Sequence, residues 1–139
     1  MEHEKNFVLD CSATMAWIFP DETSTYCKKV QQLLLESQAH VPTIWPLEVA
    51  NVLWAAERSK RITESQSLRF RRILEELPIH IDTETSNRVF GNILAIAREQ
   101  DITVYDASYL ELSMYKAMPL ATLDKALKKA AKKVGVSLV

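Results

Sequence analysis

Short apolar runs alternate with longer segments of helical periodicity along this chain, and that alternation constrains its fold more than any other feature. The runs are NFVLD, AHVPT, PIHID, PLATLD and VSLV, and each is too short to form a helix of its own. Strands separated by helices favour a mostly parallel sheet that is covered by helices on both faces. We therefore predict an α/β fold, a three-layer α/β/α sandwich around a central five-stranded sheet.

Start signals and apolar periodicity predict the helices between these strands. A short helix runs through Trp17 until Pro20 stops it, and others span about residues 23–37 and 85–99. Two more begin near Pro46 and Thr63, and Gly135 is placed to end the last one. In the helices that begin near Pro46 and Thr63, the apolar positions are predicted to face the core. They are Leu47, Ala50, Leu53 and Trp54 in the first and Leu68, Ile73 and Leu77 in the second.

Length and composition favour one cytoplasmic domain. The 139 residues are enough for a single domain, residues 1–139, with its own core. No apolar run approaches the roughly 18 residues of a membrane span, and the charged start MEHEKNF is unlike a secretory signal. Cys11 and Cys27 match no zinc spacing and indicate buried or semi-buried thiols. Only two glycines occur, which excludes a Gly-rich phosphate loop.

Four acidic residues share one kind of position, in or directly before the first turn of a predicted helix. They are Asp10, Glu48, Asp106 and Asp124. Taken singly, each has an ordinary explanation, because Asp is a favoured N-cap residue and the helix dipole stabilises negative charge by about 0.3–1 kcal/mol. Taken together they indicate a site. Asp10 and Asp124 directly follow strands, and the carboxyl ends of parallel strands lie on one edge of the sheet.

Carboxylates brought to one edge repel each other unless a cation lies between them. Oxygen ligands without His or Cys suit Mg²⁺ or Mn²⁺ rather than Zn²⁺, so we predict a site for one of these ions. Small polar residues near three of the acids are candidates to orient them or to hold metal-bound water, with caps and surface hydroxyls as the alternative. They are Ser12, Asn51 and Thr122.

Four segments of the chain resemble, in order and spacing, the PIN-domain ribonucleases. They are LDCSATMAWIF, PLEVANVLWAA, TVYDASYLELS and LATLDKALKKAAKKVGV, and they extend over nearly the whole chain. The likeness is greatest to the VapC toxins of bacterial and archaeal toxin–antitoxin pairs. It implies the strand order 3-2-1-4-5. It places the family's metal-binding acids on Asp10, Glu48, Asp106 and Asp124, and its polar helpers on Ser12, Asn51 and Thr122.

The resemblance also implies an activity and partners. The expected reaction is hydrolysis of an RNA phosphodiester with one or two divalent ions, which leaves a 5′-phosphate and a 3′-hydroxyl and inhibits translation. The expected partners are RNA, a second copy of the chain in a homodimer, and a cognate antitoxin. A segment of the antitoxin is expected in an apolar groove beside the site. Asp82 also ends a strand, but the implied strand order places it away from the pocket.

An acidic site needs basic residues elsewhere to attract RNA. The last predicted helix carries a lysine stripe, of which Lys125, Lys128 and Lys129 are candidate RNA contacts, although such a stripe is more often a solvated face. The net charge of −1 means that any affinity for RNA resides in local patches.

Other functions remain to be weighed against a metal-dependent ribonuclease. The principal alternative is a catalytically inactive binding module with the PIN fold. Cleavage by histidine needs paired imidazoles, and we expect none at His40 and His80. A phosphoacceptor receiver domain needs an adjacent acid pair after the first strand, which is missing.

Overall fold

Four parallel strands form the sheet of the computed structural model, which describes residues 6–19 and 25–139. The strands are β1 Phe7–Leu9, β2 Ala39–Val41, β3 Ile79–Ile81 and β4 Leu120–Ala121. Their order is β3-β2-β1-β4, with β1 paired to both β2 and β4. The predicted parallel α/β sheet and this part of its strand order are confirmed.

The predicted fifth strand is reduced to a single bridge. Leu138 pairs in parallel with Leu120 beyond β4. The Leu120 N–H donates to the Ser137 carbonyl at 2.9 Å, and the Val139 N–H donates to the Leu120 carbonyl at 3.0 Å. The segment therefore lies where the order 3-2-1-4-5 places a fifth strand, but its pairing is too short to extend the sheet.

Helices connect the strands and cover both faces of the sheet. Within the described ranges they are α1 Cys11–Met15, α2 Thr25–Leu33, α3 Trp45–Arg58, α4 Glu64–Glu76, α5 Leu94–Gln100, α6 Val104–Lys116 and α7 Lys125–Val134. The predicted helix over residues 85–99 is broken, because a 3₁₀ turn over Thr85–Arg88 and a π turn over Val89–Ile93 precede α5. Gly91 lies inside the second of these segments, where its non-helical φ of −100° and ψ of −106° mark a kink. None of the described helices is both long and apolar enough to cross a bilayer.

The core is centred on β1, whose three residues are all fully buried. Cys27 is buried and Cys11 half-buried, as predicted for both thiols. The pattern of residues 23–37 also predicts Val30, Leu33 and Leu34 as inward positions, and in the structure Val30 and Leu34 are buried and Leu33 is half-buried. The start of that predicted helix, residues 23–24, and Pro20 lie outside the described residues.

The inward faces predicted for α3 and α4 are largely wrong. Leu47 is 69% exposed, Trp54 56% and Leu68 47%. Ala50 and Ile73 are exposed as well, and Leu53 and Leu77 are half-buried. The face of α3 that enters the core carries Trp45, Val49 and Ala56 instead. The two helices leave between them an apolar groove of about 1020 Å³, here called the α3–α4 groove.

Candidate functional site

Asp10 and Asp124 lie side by side at the carboxyl edge of the sheet. The Asp10 N–H donates to the Ala121 carbonyl at 3.1 Å, which joins the ends of β1 and β4. Both acids cap a helix: Asp10 Oδ1 accepts from the Ala13 N–H at 2.9 Å, and Asp124 Oδ2 accepts from the Leu127 N–H at 2.8 Å. An Asp at an N-cap satisfies an amide that the helix itself leaves unpaired. The local sequence therefore places both carboxylates at this edge.

Two of the three predicted polar helpers contact the Asp10 carboxylate. The Ser12 hydroxyl donates to Oδ1 at 2.8 Å, and the Thr122 hydroxyl donates to Oδ2. Each hydroxyl also accepts a hydrogen bond from a backbone N–H of the segment after β4. The Leu123 N–H donates to Ser12 and the Asp124 N–H donates to Thr122, both at 3.0 Å. Both oxygens of Asp10 are thus fixed in orientation by neighbouring donors.

Glu48 and Asp106 reach the same edge from α3 and α6. Glu48 lies in the first turn of α3, and its Oε1 accepts from the Tyr109 hydroxyl at 2.6 Å. The Asp106 N–H donates to Thr103 Oγ1 at 3.0 Å, so Thr103 is the N-cap of α6. Asn51, the third predicted helper, is exposed, and its side chain forms no hydrogen bond with a described residue.

The electrostatics of the acids link them into one group. Burial raises the pKa of Asp10 to about 6, although hydrogen bonds from Thr122, Ala13 and Ser12 oppose the rise, and the charge of Asp106 adds to it. Burial also raises the pKa of Glu48, to which the charge of Asp106 contributes. The pKa of Asp106 is raised by burial and by the charge of Asp124. Asp106 therefore interacts with each of the other three acids.

No positive side chain relieves this repulsion within residues 6–19 and 25–139. The ion pairs of those residues do not include any of the four acids. Carboxylates that repel one another in a partly buried site are stabilised by a bound cation. The electrostatic conditions for a cation are therefore met.

The donor atoms available at the site are those that a hard cation prefers. Cys11 is the nearest soft donor, but burial first, and then the charges of Glu48 and Asp10, raise its pKa to about 12, so the thiol is neutral. The described residues hold no set of three His, Cys, Asp or Glu side chains already arranged around a common point. Asp106 and Asp124 are both only half-buried.

Three further residues support the acids and were missed by sequence reasoning. Tyr109 is 1% exposed and holds Glu48, and its spacing of one helical turn from Asp106 was a usable signal. Thr14 and Tyr26 gave no such signal. The Thr14 hydroxyl donates to the Asp10 carbonyl at 2.8 Å, and the Tyr26 hydroxyl accepts from the Thr122 N–H at 3.0 Å.

The predicted lysine stripe begins next to the acidic site. Lys125 and Lys129 are exposed on α7, directly after the cap residue Asp124. Lys128 is half-buried, with its ammonium 5.6 Å from the centroid of the Tyr26 ring. Because Tyr26 also contacts Thr122, Lys128 lies close to the acids without forming an ion pair with them.

Asp82 forms a structural ion pair and is not part of the acidic site, in agreement with its predicted position away from the pocket. It ends β3, the edge strand, and accepts from Arg88 Nη2 at 2.8 Å. Arg88 Nε also donates to the buried Glu111 at 2.8 Å. Burial opposes ionisation of Asp82, but hydrogen bonds from Arg88 and Thr85 outweigh it and lower its pKa.

The two strand histidines are paired, contrary to expectation. His40 and His80 lie opposite each other on β2 and β3, with ring centroids 5.3 Å apart. Burial lowers the pKa of His40, and neither of its ring nitrogens has a hydrogen-bond partner among the described residues. The histidines lie on β2 and β3, whereas Asp10 and Asp124 follow the carboxyl ends of β1 and β4, so the pair is separate from the acidic site.

Comparison with known proteins identifies the family of this chain. Ribonuclease VapC3 of Pyrobaculum aerophilum is 29% identical to this chain over 120 residues, which cover 86% of this chain and 90% of that protein. The crystal structure of PAE2754 from the same organism has a similar fold, with a TM-score of 0.66 and 23% identity, and the match covers 90% of this chain and 78% of that one. The family model of the PIN domain matches residues 7–133 of this chain. The chain therefore belongs to the PIN domain family.

Proposed function

We propose that this chain is a Mg²⁺- or Mn²⁺-dependent endoribonuclease, the toxin of a toxin–antitoxin pair that inhibits translation. The observation that carries the proposal is the convergence of four carboxylates on one sheet edge with no basic side chain paired to them in the described residues. They are Asp10, Glu48, Asp106 and Asp124. The name of the curated relative, a VapC ribonuclease, supports the same activity.

The side chains divide the work as follows. Asp10, Glu48 and Asp106 would hold the ion, and Asp124 would bind it directly or through a water molecule. These residues would give the ion a place from which it would supply activation of a water and stabilisation of charge on the leaving oxygen of the phosphodiester. Ser12 and Thr122 keep the Asp10 carboxylate oriented. Polar groups that orient metal ligands in this way are often as important as the ligands themselves.

RNA would approach the acids over α7. Lys125, Lys128 and Lys129 would contact backbone phosphates, which supply most of the affinity of proteins for nucleic acid regardless of sequence. The position of Lys128 beside Tyr26, whose hydroxyl contacts Thr122, supports this path. Hydrolysis would leave a 5′-phosphate and a 3′-hydroxyl.

Cleavage of purified RNA by matched variants tests the activity. Glu48→Gln should lose at least about 100-fold in rate, because removing a group that acts in the transition state has effects of this order. Glu76→Gln makes the same chemical change at an exposed position of α4 and should cleave like the wild type. Activity should disappear with a chelator and return with Mn²⁺ or Mg²⁺.

Two results of that assay would count against the ribonuclease. Equal cleavage by Glu48→Gln and wild-type protein would mean that the acids do not carry the reaction. A wild type that binds Mn²⁺ but cleaves neither transfer, ribosomal nor messenger RNA would support the inactive binding module.

The proposed partner surface is the α3–α4 groove, with an apolar segment of the antitoxin as its occupant. Leu68 and Ile81 line it and expose apolar surface. Trp45 and Val49 line it from the helix that bears Glu48, so an occupant would lie beside the acids. Exposed apolar surface of this extent marks an interaction site in soluble proteins.

Co-purification with the product of the neighbouring gene tests this surface. Leu68→Glu should abolish capture of the antitoxin while leaving RNA cleavage intact. Leu35→Glu is the matched control, because Leu35 is exposed on a different part of the chain and does not line the groove. Equal capture by both variants would show that the antitoxin binds elsewhere.

The single domain over residues 1–139, the homodimer and a cytoplasmic location complete the proposal. Resemblance to the VapC toxins supports the dimer and the location. Sedimentation equilibrium of the purified chain should give twice the mass of 15.9 kDa. A mass of one chain at micromolar concentration would contradict the homodimer.

A further inference from the structure

Two buried hydrogen bonds join α3 to the end of β1. The Trp45 indole N–H donates to the Thr14 hydroxyl at 3.0 Å, and that hydroxyl donates to the Asp10 carbonyl at 2.8 Å. Thr14 is fully buried and Trp45 is 7% exposed. The link therefore operates out of contact with water, where a hydrogen bond is strong and leaving its partners unpaired is costly.

The two ends of this link carry two of the proposed metal ligands. Asp10 supplies the accepting carbonyl from its own backbone, and Trp45 lies one helical turn before Glu48 on α3. Within residues 6–19 and 25–139, no other hydrogen bond joins the β1–α1 segment to α3. The relative placement of Asp10 and Glu48 therefore depends on this link and on apolar packing.

Each side chain in the link has the chemistry that its position needs. The Thr14 hydroxyl accepts from the indole and donates to the carbonyl at the same time, which a valine of the same shape cannot do. The indole N–H is a donor only, so phenylalanine would keep an aromatic ring but remove the hydrogen bond. Apolar packing alone explains neither the hydroxyl nor the indole nitrogen.

We infer that Thr14 and Trp45 are positioning residues, which fix the spacing between the carboxylates of Asp10 and Glu48 so that both bind one divalent ion. The inference rests on the proposed metal-dependent function. A site held by residues from different elements loses affinity when the supporting contacts loosen, commonly by about 10- to 100-fold.

Mn²⁺ titration of purified variants tests the inference, with thermal unfolding and the kcat and KM of RNA cleavage measured on the same samples. Thr14→Val and Trp45→Phe should each weaken Mn²⁺ binding by about tenfold or more and lower kcat with little change in KM for RNA. Thr14→Ser keeps the hydroxyl and should bind Mn²⁺ within about threefold of the wild type. The double variant Thr14→Val/Trp45→Phe should be no worse than Thr14→Val, because both changes break the same link.

Ile93→Val is the control for lost stability. Ile93 is fully buried in a separate small cluster with Ala97 and Ala107, and the change should lower Tm by a few degrees without altering Mn²⁺ affinity. If Thr14→Val and Trp45→Phe lower Tm in the same way but bind Mn²⁺ like the wild type, the pair is structural only and the inference is overturned. A wild type that neither binds Mn²⁺ nor cleaves RNA would overturn the proposed function and this inference together.

Discussion

The Asp10 carboxylate is ionised at neutral pH in a place that disfavours its charge. Burial raises its pKa from the ordinary 3.8 to about 6. Because the folded protein binds this proton more tightly than the unfolded chain, protonated Asp10 favours the fold. That contribution is fully present below about pH 4 and is lost as the pH rises through 6. Asp10→Asn removes the charge and should therefore remove this dependence on pH.

The size of the effect follows from the two pKa values. Each pH unit between 3.8 and about 6 lowers the free energy of unfolding of the wild type by about 1.4 kcal/mol. By pH 8 the total decrease is about 3 kcal/mol. Asparagine disturbs the hydrogen bond from Thr122, which costs about 1 kcal/mol at every pH. The free energy of unfolding of Asp10→Asn, relative to the wild type, should thus rise by about 2–3 kcal/mol between pH 4 and pH 8.

Urea denaturation with a chelator present, at pH 4, 6 and 8, measures this difference directly. Addition of Mn²⁺ at pH 8 should then stabilise the wild type and leave Asp10→Asn unchanged. A difference between the two proteins that stays constant within about 0.5 kcal/mol from pH 4 to 8 would refute the reasoning. It would mean that the carboxylate ionises at no cost and that the site exerts no repulsion on it.

Three further predictions concern the surroundings of the site. Tyr109→Phe should weaken Mn²⁺ binding about tenfold in titration calorimetry, with an unchanged circular dichroism spectrum. Unchanged affinity would mean that the phenol of Tyr109 does not orient the Glu48 carboxylate. Lys125→Glu and Lys129→Glu should raise KM for RNA and flatten its salt dependence by about one unit of slope for each phosphate that is no longer bound, whereas an unaltered salt slope would assign these lysines to a solvated face. Arg88→Met should lower the free energy of unfolding by about 3–5 kcal/mol in urea, because it leaves two buried carboxylates unpaired, and a decrease below about 1 kcal/mol would contradict that.

The parts of the site that depend on local sequence could be predicted. Asp10 and Asp124 each follow an apolar run and precede a helical pattern, and both are N-caps at one sheet edge. Gly135 ends α7 with a positive φ of 79°, the conformation that glycine adopts most easily. In each case the residue and its immediate neighbours determine the backbone, so no tertiary information is needed.

The orientation of α3 could not be predicted from periodicity. Leu47 and Trp54 recur at helical spacing, yet they lie outside the core, while Trp45 and Val49 enter it. The α3–α4 groove is lined by Trp45 and Val49 and, of the predicted inward positions, by Ala50 and Leu53, so the apolar residues of α3 extend over more than one face. Helical spacing identifies such faces but does not say which one the chain itself covers.

Contacts between segments that are distant in the chain could not be predicted from the sequence either. Tyr109 bonds to Glu48 across 61 positions of the chain, and Trp45 bonds to Thr14 across 31. Neither pair has a spacing that a helix or strand would bring together. They depend on how the sheet order places α1, α3 and α6 around the same edge.

The central claim is that carboxylates from separate elements bind one divalent ion together. Titration calorimetry of Mn²⁺ into the wild type, Glu48→Gln, Asp106→Asn and the surface control Glu76→Gln measures this most directly. The wild type and Glu76→Gln should bind Mn²⁺ alike, and Glu48→Gln and Asp106→Asn should each lose at least about tenfold in affinity. Wild-type affinity in both Glu48→Gln and Asp106→Asn would contradict it.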